Sequence, residues 1–235
     1  MIEAVQLQET LKARAYALDI LRHVFIEEPT LPFLQLLENP DFLDIFPFKE
    51  DDVDIKEGLE GVTNYLNSEF FLSNEAFNQL HWDFTRLIVG PFELPAPPWE
   101  SSYVRKDKLL FQQTTKEVEK FYKKFGFQIA ENQLEASDHI GLEIDFIFHL
   151  NGLSIKHLEE NGSLPIHLLK EQHRFYKLHL KRFYSDFAKN VMKHSTTPFY
   201  KGFAKVLNGY LALDYKLIEE LIHFANFSEG GSYNE

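Results

Sequence analysis

Two adjacent residues near the middle of the chain, Asp138 and His139, are the first candidates for chemistry. Glu135 lies just before the pair, and Glu143 lies one helical turn after it. Asp138 falls at the predicted N-terminus of a helix, where capping and the helix dipole both favour a carboxylate. His139 and Glu143 are four residues apart, so one helix face can present both to a metal ion. Three interpretations of the pair stay open: helix capping, contact with a ligand or peptide, and metal binding.

The other sequence patterns give little support to catalysis. The zinc signature H-E-x-x-H is absent, and so are the G-x-S-x-G elbow, the P-loop and G-x-G-x-x-G. The chain has no cysteine, which excludes disulfides, thiolate metal sites and cysteine nucleophiles. We therefore expect no catalytic residue, no cofactor and no bound metal. A metal-dependent hydrolase that uses His139, Glu143 and a distant histidine stays as an alternative.

The second candidate region is a proline-rich loop within residues 86 to 103. Four of the ten prolines fall in the eight residues from Pro91 to Pro98, and Trp99 and Tyr103 follow. Proline fixes φ at about −65° and offers no N–H, so this stretch cannot be a helix interior or a central strand. A stiff segment with aromatic side chains suits recognition, because little side-chain entropy is lost on contact. The alternative is that Trp99 fills a helical core.

The charge and length of the chain limit its partners. A net charge of −12 over 235 residues argues against nucleic acid and is compatible with a basic peptide. Residues 1–10 lack the apolar region of a signal peptide, and no apolar run is long enough to span a bilayer. We expect a cytoplasmic protein without stable membrane insertion. A single domain over residues 1–229 with a flexible tail at 230–235 fits the length.

Helical periodicity dominates the first half of the chain. A first amphipathic helix runs through Leu7 and Phe25 and ends before Pro29 and Pro32. Residues 30–54 are predicted to be irregular, and a second helix is predicted over residues 55–70. Ser73 is expected to cap a helix that carries Phe84 and Leu87 on one face, which Gly90 and Pro91 then end.

The second half continues the same pattern. Thr114 and Glu117 form a predicted capping box, and Ser137 with Asp138 opens a helix that ends at Asn161-Gly162. One long periodic segment is predicted from Pro165 to Val191. Thr197 precedes a helix that begins at Pro198, and residues 214–227 form a last helix. No segment alternates long enough to be a strand, so we predict an all-α, single-domain bundle of about eight to ten helices.

Three blocks, in this order, resemble the TorD/DmsD family of twin-arginine signal-peptide chaperones, which are redox enzyme maturation proteins. The first is the loop, Arg86 to Pro91 with Leu94 to Ser101, and the second is Glu135 to Glu143 with its Asp-His pair. The third is Thr197-Pro198-Phe199-Tyr200 with Phe203-Ala204. Leu110-Phe111 with Phe121-Tyr122 and Gly126 fits the stretch between the first two blocks. The similarity covers roughly residues 80–210, and more loosely the whole chain.

The chain departs from the family pattern at three places. Ala136 and Ser137 occupy a gap where the family often has proline, and Gln112 stands where it tends to have glycine. Phe183 stands where the family usually has tryptophan. These departures leave the expected fold unchanged and bear on which client the protein serves.

The resemblance implies an all-helical cytoplasmic chaperone. Such proteins bind the twin-arginine leader of a molybdenum-cofactor enzyme of the dimethyl sulfoxide or trimethylamine N-oxide reductase type. They hold the enzyme back from export until the cofactor is inserted. The implied partners are the leader peptide and the apo catalytic subunit, with a homodimer left open. The implied peptide-binding residues are Phe84, Leu87, Pro98, Trp99, Tyr103, Glu135, Asp138 and His139. An assembly factor of a respiratory complex such as nitrate reductase is the alternative binding function.

Overall fold

A computed structural model of the chain describes residues 2–68, 74–91, 93–104, 113–130 and 133–230. These ranges contain eleven α-helices and no strand, so the predicted all-α fold is confirmed. The helices are α1 (Ile2–Ile26), α2 (Leu31–Glu38), α3 (Pro40–Asp44), α4 (Val53–Leu66), α5 (Asn74–Phe84), α6 (Ser101–Val104), α7 (Gln113–Lys124), α8 (Ile140–Asn161), α9 (Ile166–Leu178), α10 (Tyr184–His194) and α11 (Pro198–Gly230).

Two long helix pairs organise the bundle. The first helix, α1, packs along α8, and α11 packs along α4, α9 and α10. The α4–α11 contact is close because Gly58 and Gly202 face each other: a Cβ on Gly58 would lie 2.5 Å from the carbonyl oxygen of Gly202. The core between the helices is rich in buried aromatic rings, including Phe25, Tyr122, Phe146, Phe175, Phe183, Phe187, Phe199, Phe203 and Tyr210. Across the described residues, no helix is long and apolar enough to cross a lipid bilayer.

The structure corrects three predicted elements. Residues 30–54 are not irregular, because they contain α2 and α3 and the start of α4. Thr30, Asn39 and Asp52 cap these helices, and Pro32 and Pro40 lie in first turns, where a missing N–H costs nothing. The second predicted helix is α4, which begins at Val53 and ends at Leu66. Thr114 lies inside α7 and is not its N-cap.

The long segment predicted from Pro165 to Val191 is broken in two. The helix α9 ends at Leu178, a 3₁₀ turn covers Leu180–Arg182, and α10 begins at Tyr184. The helix predicted to begin at Pro198 and the one predicted over 214–227 are a single helix, α11, which reaches Gly230. The predicted cap Ser73, the block around Leu110-Phe111 and Gln112, and residues 231–235 of the predicted tail lie outside the described residues.

Candidate functional site

The proline-rich loop forms one wall of a surface cavity. A π-helical turn over Thr85–Val89 follows α5 and ends at Gly90, whose φ of 103° is in the region that favours glycine. The helix α6 begins further along, at Ser101. The loop and α10 enclose a cavity of about 800 Å³. Its lining residues are Val89, Gly90, Pro91, Glu93, Leu94, Pro95, Pro97, Trp99, Ser102, Tyr103 and Asn190.

Two aromatic side chains, Trp99 and Tyr103, lie in the lining of this cavity. Trp99 is half-buried, and its indole Nε1 donates a hydrogen bond of 3.3 Å to Oε2 of Glu135. Tyr103 is also half-buried, and its hydroxyl accepts a hydrogen bond of 3.4 Å from Nδ2 of Asn190. Burial raises the pKa of Tyr103 to about 12. Burial also raises the pKa of Glu135, and the Trp99 hydrogen bond partly offsets that rise. Both rings therefore present an apolar face to the cavity from a fixed position.

A short antiparallel bridge joins the two sequence motifs. Trp99 and His139 form an isolated β-bridge, in which the Ile140 N–H donates to the Pro98 carbonyl at 2.8 Å. The Glu100 N–H donates to the Asp138 carbonyl at 2.9 Å. The loop and the segment before α8 are thus locked backbone to backbone, which the linear sequence did not indicate.

The side chains of the Asp-His pair point inward, away from the cavity. Asp138 is 0% exposed; its carboxylate accepts the backbone N–H of Ser101 at 3.0 Å and the hydroxyl of Thr115 at 2.9 Å. His139 is 1% exposed, and its Nδ1 accepts the N–H of Gly141 at 3.1 Å. His139 is therefore the N-cap of α8, which corrects the prediction that Ser137 and Asp138 open this helix. Burial lowers the pKa of His139 to about 3, so the ring is neutral.

The other predicted site residues divide into two groups. Phe84 and Leu87 are 2% and 0% exposed and belong to the hydrophobic core, because the turns of α5 and the π-helix face them inward. Pro98 is buried as well, behind its hydrogen bond to Ile140. Trp99, Tyr103 and Glu135 remain at or beside the cavity. The structure thus places the predicted aromatic residues Trp99 and Tyr103 in one cavity lining, whereas Phe84 and Leu87, predicted to bind peptide, are buried in the core and do not line it.

A buried ionic cluster, which sequence spacing did not reveal, lies behind the loop. Glu100, the residue after Trp99, has Oε2 at 2.8 Å from Nδ1 of His179 and Oε1 at 3.0 Å from Nη1 of Arg182. Glu143 of α8 lies in the same cluster. Among the described residues this is the group of acids and histidine that could hold a metal, and His139 is not part of it. The predicted pairing of His139 with Glu143 at a metal is therefore not what the fold assembles.

The family model and the curated relatives agree on one family. The family model described as nitrate reductase delta subunit matches residues 50–189. The chain is 30% identical over 160 residues to the chaperone protein TorD of Vibrio parahaemolyticus, which covers 68% of this chain and 73% of the relative. It is 28% identical to the Tat proofreading chaperone DmsD of Salmonella paratyphi A, over 78% of each chain. A solved structure from Archaeoglobus fulgidus, described as a redox enzyme maturation protein, has 16% identity and a TM-score of 0.48, with 85% and 93% of the two chains covered.

Proposed function

The chain belongs to the TorD/DmsD family of signal-peptide chaperones, and on that premise we propose that it binds the twin-arginine leader of a molybdenum-cofactor oxidoreductase. The client is of the dimethyl sulfoxide or trimethylamine N-oxide reductase type. The chaperone holds it in the cytoplasm until cofactor insertion and folding are complete. The named relatives are chaperones and not enzymes, so the metal-dependent hydrolase is not retained.

One observation carries the proposal: the cavity beside the proline-rich loop. A leader peptide has an apolar stretch, and this cavity offers the half-buried ring of Trp99 with Pro95 and Pro97 beside it. Aromatic anchors held by a rigid backbone lose little entropy on binding and are common hot spots.

Carboxylates at the cavity fit the two arginines of the leader. Glu93 is exposed in the lining, and Glu135 lies beside Trp99. Arginine forms bidentate hydrogen bonds with a carboxylate, whereas lysine offers a single compact charge. Asp138 and His139 take a different part in this proposal, as positioning residues. Asp138 holds the backbone of Glu100 and Ser101, and His139 caps the helix whose first residue, Ile140, donates to the Pro98 carbonyl.

The test is the affinity of a synthetic twin-arginine leader for the purified chain. We expect a Lys-Lys version to bind at least about tenfold more weakly, equivalent to one charge-assisted hydrogen bond of about 1.5 kcal/mol. Affinity should also fall as ionic strength rises from about 0.1 M to about 1 M, where screening shortens to about 3 Å. Equal affinity for both peptides would show that arginine geometry is not recognised.

A matched pair of variants locates the contact. Glu93→Gln removes a carboxylate from the cavity, and Glu75→Gln removes an exposed carboxylate from α5, away from the cavity lining. We expect Glu93→Gln to weaken binding of the twin-arginine peptide and to lower the affinity for the Lys-Lys peptide by a smaller factor. Similar losses in both variants would mean that only the overall charge of −12 attracts the leader.

The family model's description favours a second candidate, assembly of a respiratory nitrate reductase. In that case the chain binds a folded or folding catalytic subunit and does not need a twin-arginine leader. Co-purification with the client lacking its leader separates the two functions. Retention of the leaderless client with full affinity supports the assembly role, and loss of binding supports leader recognition.

A further inference from the structure

The cluster behind the loop combines three potential metal ligands from three separate parts of the chain. Glu100 lies in the proline-rich loop, Glu143 lies in the first turn of α8, and His179 follows α9. Their exposed fractions are 0%, 0% and 2%. One ligand atom from each lies within 4.8 Å of the others. Helix packing therefore brings an imidazole and two carboxylates together at one buried position.

Glu143 is the feature of this cluster that the protein alone does not explain. Both of its carboxylate oxygens are buried and have no hydrogen-bond partner among the described residues. A buried polar group without a partner is costly, and a buried carboxylate more so. Burial, with the charges of Glu100 and Asp138 nearby, raises the pKa of Glu143 well above its usual range.

The side chains around Glu143 carry an excess of negative charge, which a bound cation would neutralise. Glu100 and Glu143 bring two negative charges, Asp138 contributes a third nearby, and Arg182 returns one positive charge through Oε1 of Glu100. With His179 neutral, as a metal ligand must be, two negative charges are in excess, and a proton on Glu143 removes only one of them. A divalent cation neutralises both, and it gives the oxygens of Glu143 the partner they lack.

We propose that Glu100, Glu143 and His179 form a structural binding site for a divalent transition-metal ion of the Mn²⁺, Fe²⁺, Co²⁺ and Zn²⁺ group. Two carboxylates and one imidazole, without thiolate, are a donor set that suits these ions. Glu143 has two oxygens for the ion, and Oε2 of Glu100 exchanges its contact with His179 for one with the metal. Arg182 stays on Oε1 of Glu100 and orients that carboxylate.

The charged side chains near the cluster predict how the ion reaches this site. A second cavity, of about 340 Å³, touches His179 and Arg182 from outside. Lys120, Lys124 and Arg174 also line it, so a free cation meets repulsion along that route. We therefore expect the ion to enter while the chain folds and to exchange slowly afterwards. The bound ion would fix Glu100, and with it the position of Trp99 in the loop.

The test is to refold the full chain with each of the four ions separately, remove free metal, and measure metal per chain. The wild type should retain about one ion of at least one kind. Glu143→Gln keeps the shape of the side chain and should lower that affinity at least tenfold, since loss of even an outer partner of a ligand costs about that much. His173→Gln is the control, because His173 is a partly exposed histidine that pairs with Glu219 outside the cluster.

Several results would overturn the proposal. One is a wild type that retains none of the four ions after refolding, and another is equal retention by Glu143→Gln. The bound ion should also raise the melting temperature of the wild type and His173→Gln, but not that of Glu143→Gln. If Glu143→Gln does not fold, His179→Gln takes its place. The absorption spectrum of the Co²⁺ form then reports directly whether the histidine is a ligand.

Discussion

Two buried ionic clusters of this protein differ in how completely their groups are paired. In the first, Arg14 is 0% exposed and donates to Asp214 at 2.6 and 3.0 Å. Its remaining contacts are Asn151 at 2.7 Å and Gln172 at 2.9 Å, and Tyr176 and Tyr210 donate to Asp214. In the second cluster, both oxygens of Glu143 lack a hydrogen-bond partner among the described residues.

The difference separates a cluster between packed helices from one behind the loop that we propose binds the leader. The Arg14 cluster joins α1, α8, α9 and α11, and its charges are compensated within the protein. The cluster of Glu100, Glu143 and His179 lies behind the loop that carries Trp99, and its charge is only partly compensated, because Arg182 pairs with Glu100 and nothing described pairs with Glu143. Complete pairing is typical of a cluster that holds helices together, and the incomplete pairing at Glu143 is the basis of the proposed cation site.

The largest expected effect comes from breaking the complete cluster. Arg14→Met should lower the free energy of unfolding by about 3–5 kcal/mol, because Asp214 is left as a buried charge without its partner. Arg22→Met, on the same helix, removes a partly exposed arginine paired with Asp19 and should cost about 1 kcal/mol or less. Urea unfolding measures both. A loss below about 1 kcal/mol for Arg14→Met would remove the distinction between the clusters.

A substitution at Asp138 tests whether this carboxylate holds the proline-rich loop in place. Asp138→Asn replaces one acceptor oxygen by an NH₂ group facing Ser101 N–H or the Thr115 hydroxyl, and should cost up to about 3 kcal/mol of stability. Leader affinity should fall with it, because the backbone next to Trp99 loses its anchor. Unchanged stability with a lower leader affinity would instead indicate that Asp138 contacts the peptide directly.

Trp99 tests the opposite pattern, a binding effect with little effect on stability. Trp99→Ala should weaken leader binding by about 2 kcal/mol, since aromatic side chains that line a binding cavity are common hot spots. The melting temperature should change little. Trp82→Ala is the matched control, because Trp82 is 67% exposed on α5 and is not in the cavity lining. A large fall in melting temperature for Trp99→Ala would place this ring with the core.

Per pH unit, the smallest expected effect is a pH dependence from His139. Its pKa in the folded chain is about 3, below the ordinary 6.5, so the unfolded chain takes up a proton at higher pH than the folded chain does. The stability is therefore fully present above pH 6.5 and falls as the pH drops toward 3, by at most about 1.4 kcal/mol per pH unit. His139→Asn keeps an N-cap acceptor without titrating. Unfolding at several pH values should show a shallower fall for this variant.

Local signals in the sequence accounted for much of the fold. Gly162 ends α8 with φ of 68°, Gly90 ends the π-helical turn, and Pro198 begins α11, all as predicted. Each depends on the conformation of one residue and its neighbours, which sequence reports directly. The break at His179 and the continuity of α11 were missed, because apolar spacing alone does not show where packing interrupts a helix.

The sequence by itself determined the helical class, the stiff loop and the family. Only the tertiary structure decided which candidate side chains face the cavity. Phe84 and Leu87 went to the core, and Asp138 turned inward, because helix packing and hydrogen bonds set their direction. The meeting of Glu100 with His179, 79 positions away, left no trace in spacing. Periodicity records which face of a helix is buried, whereas long-range packing decides what that face meets.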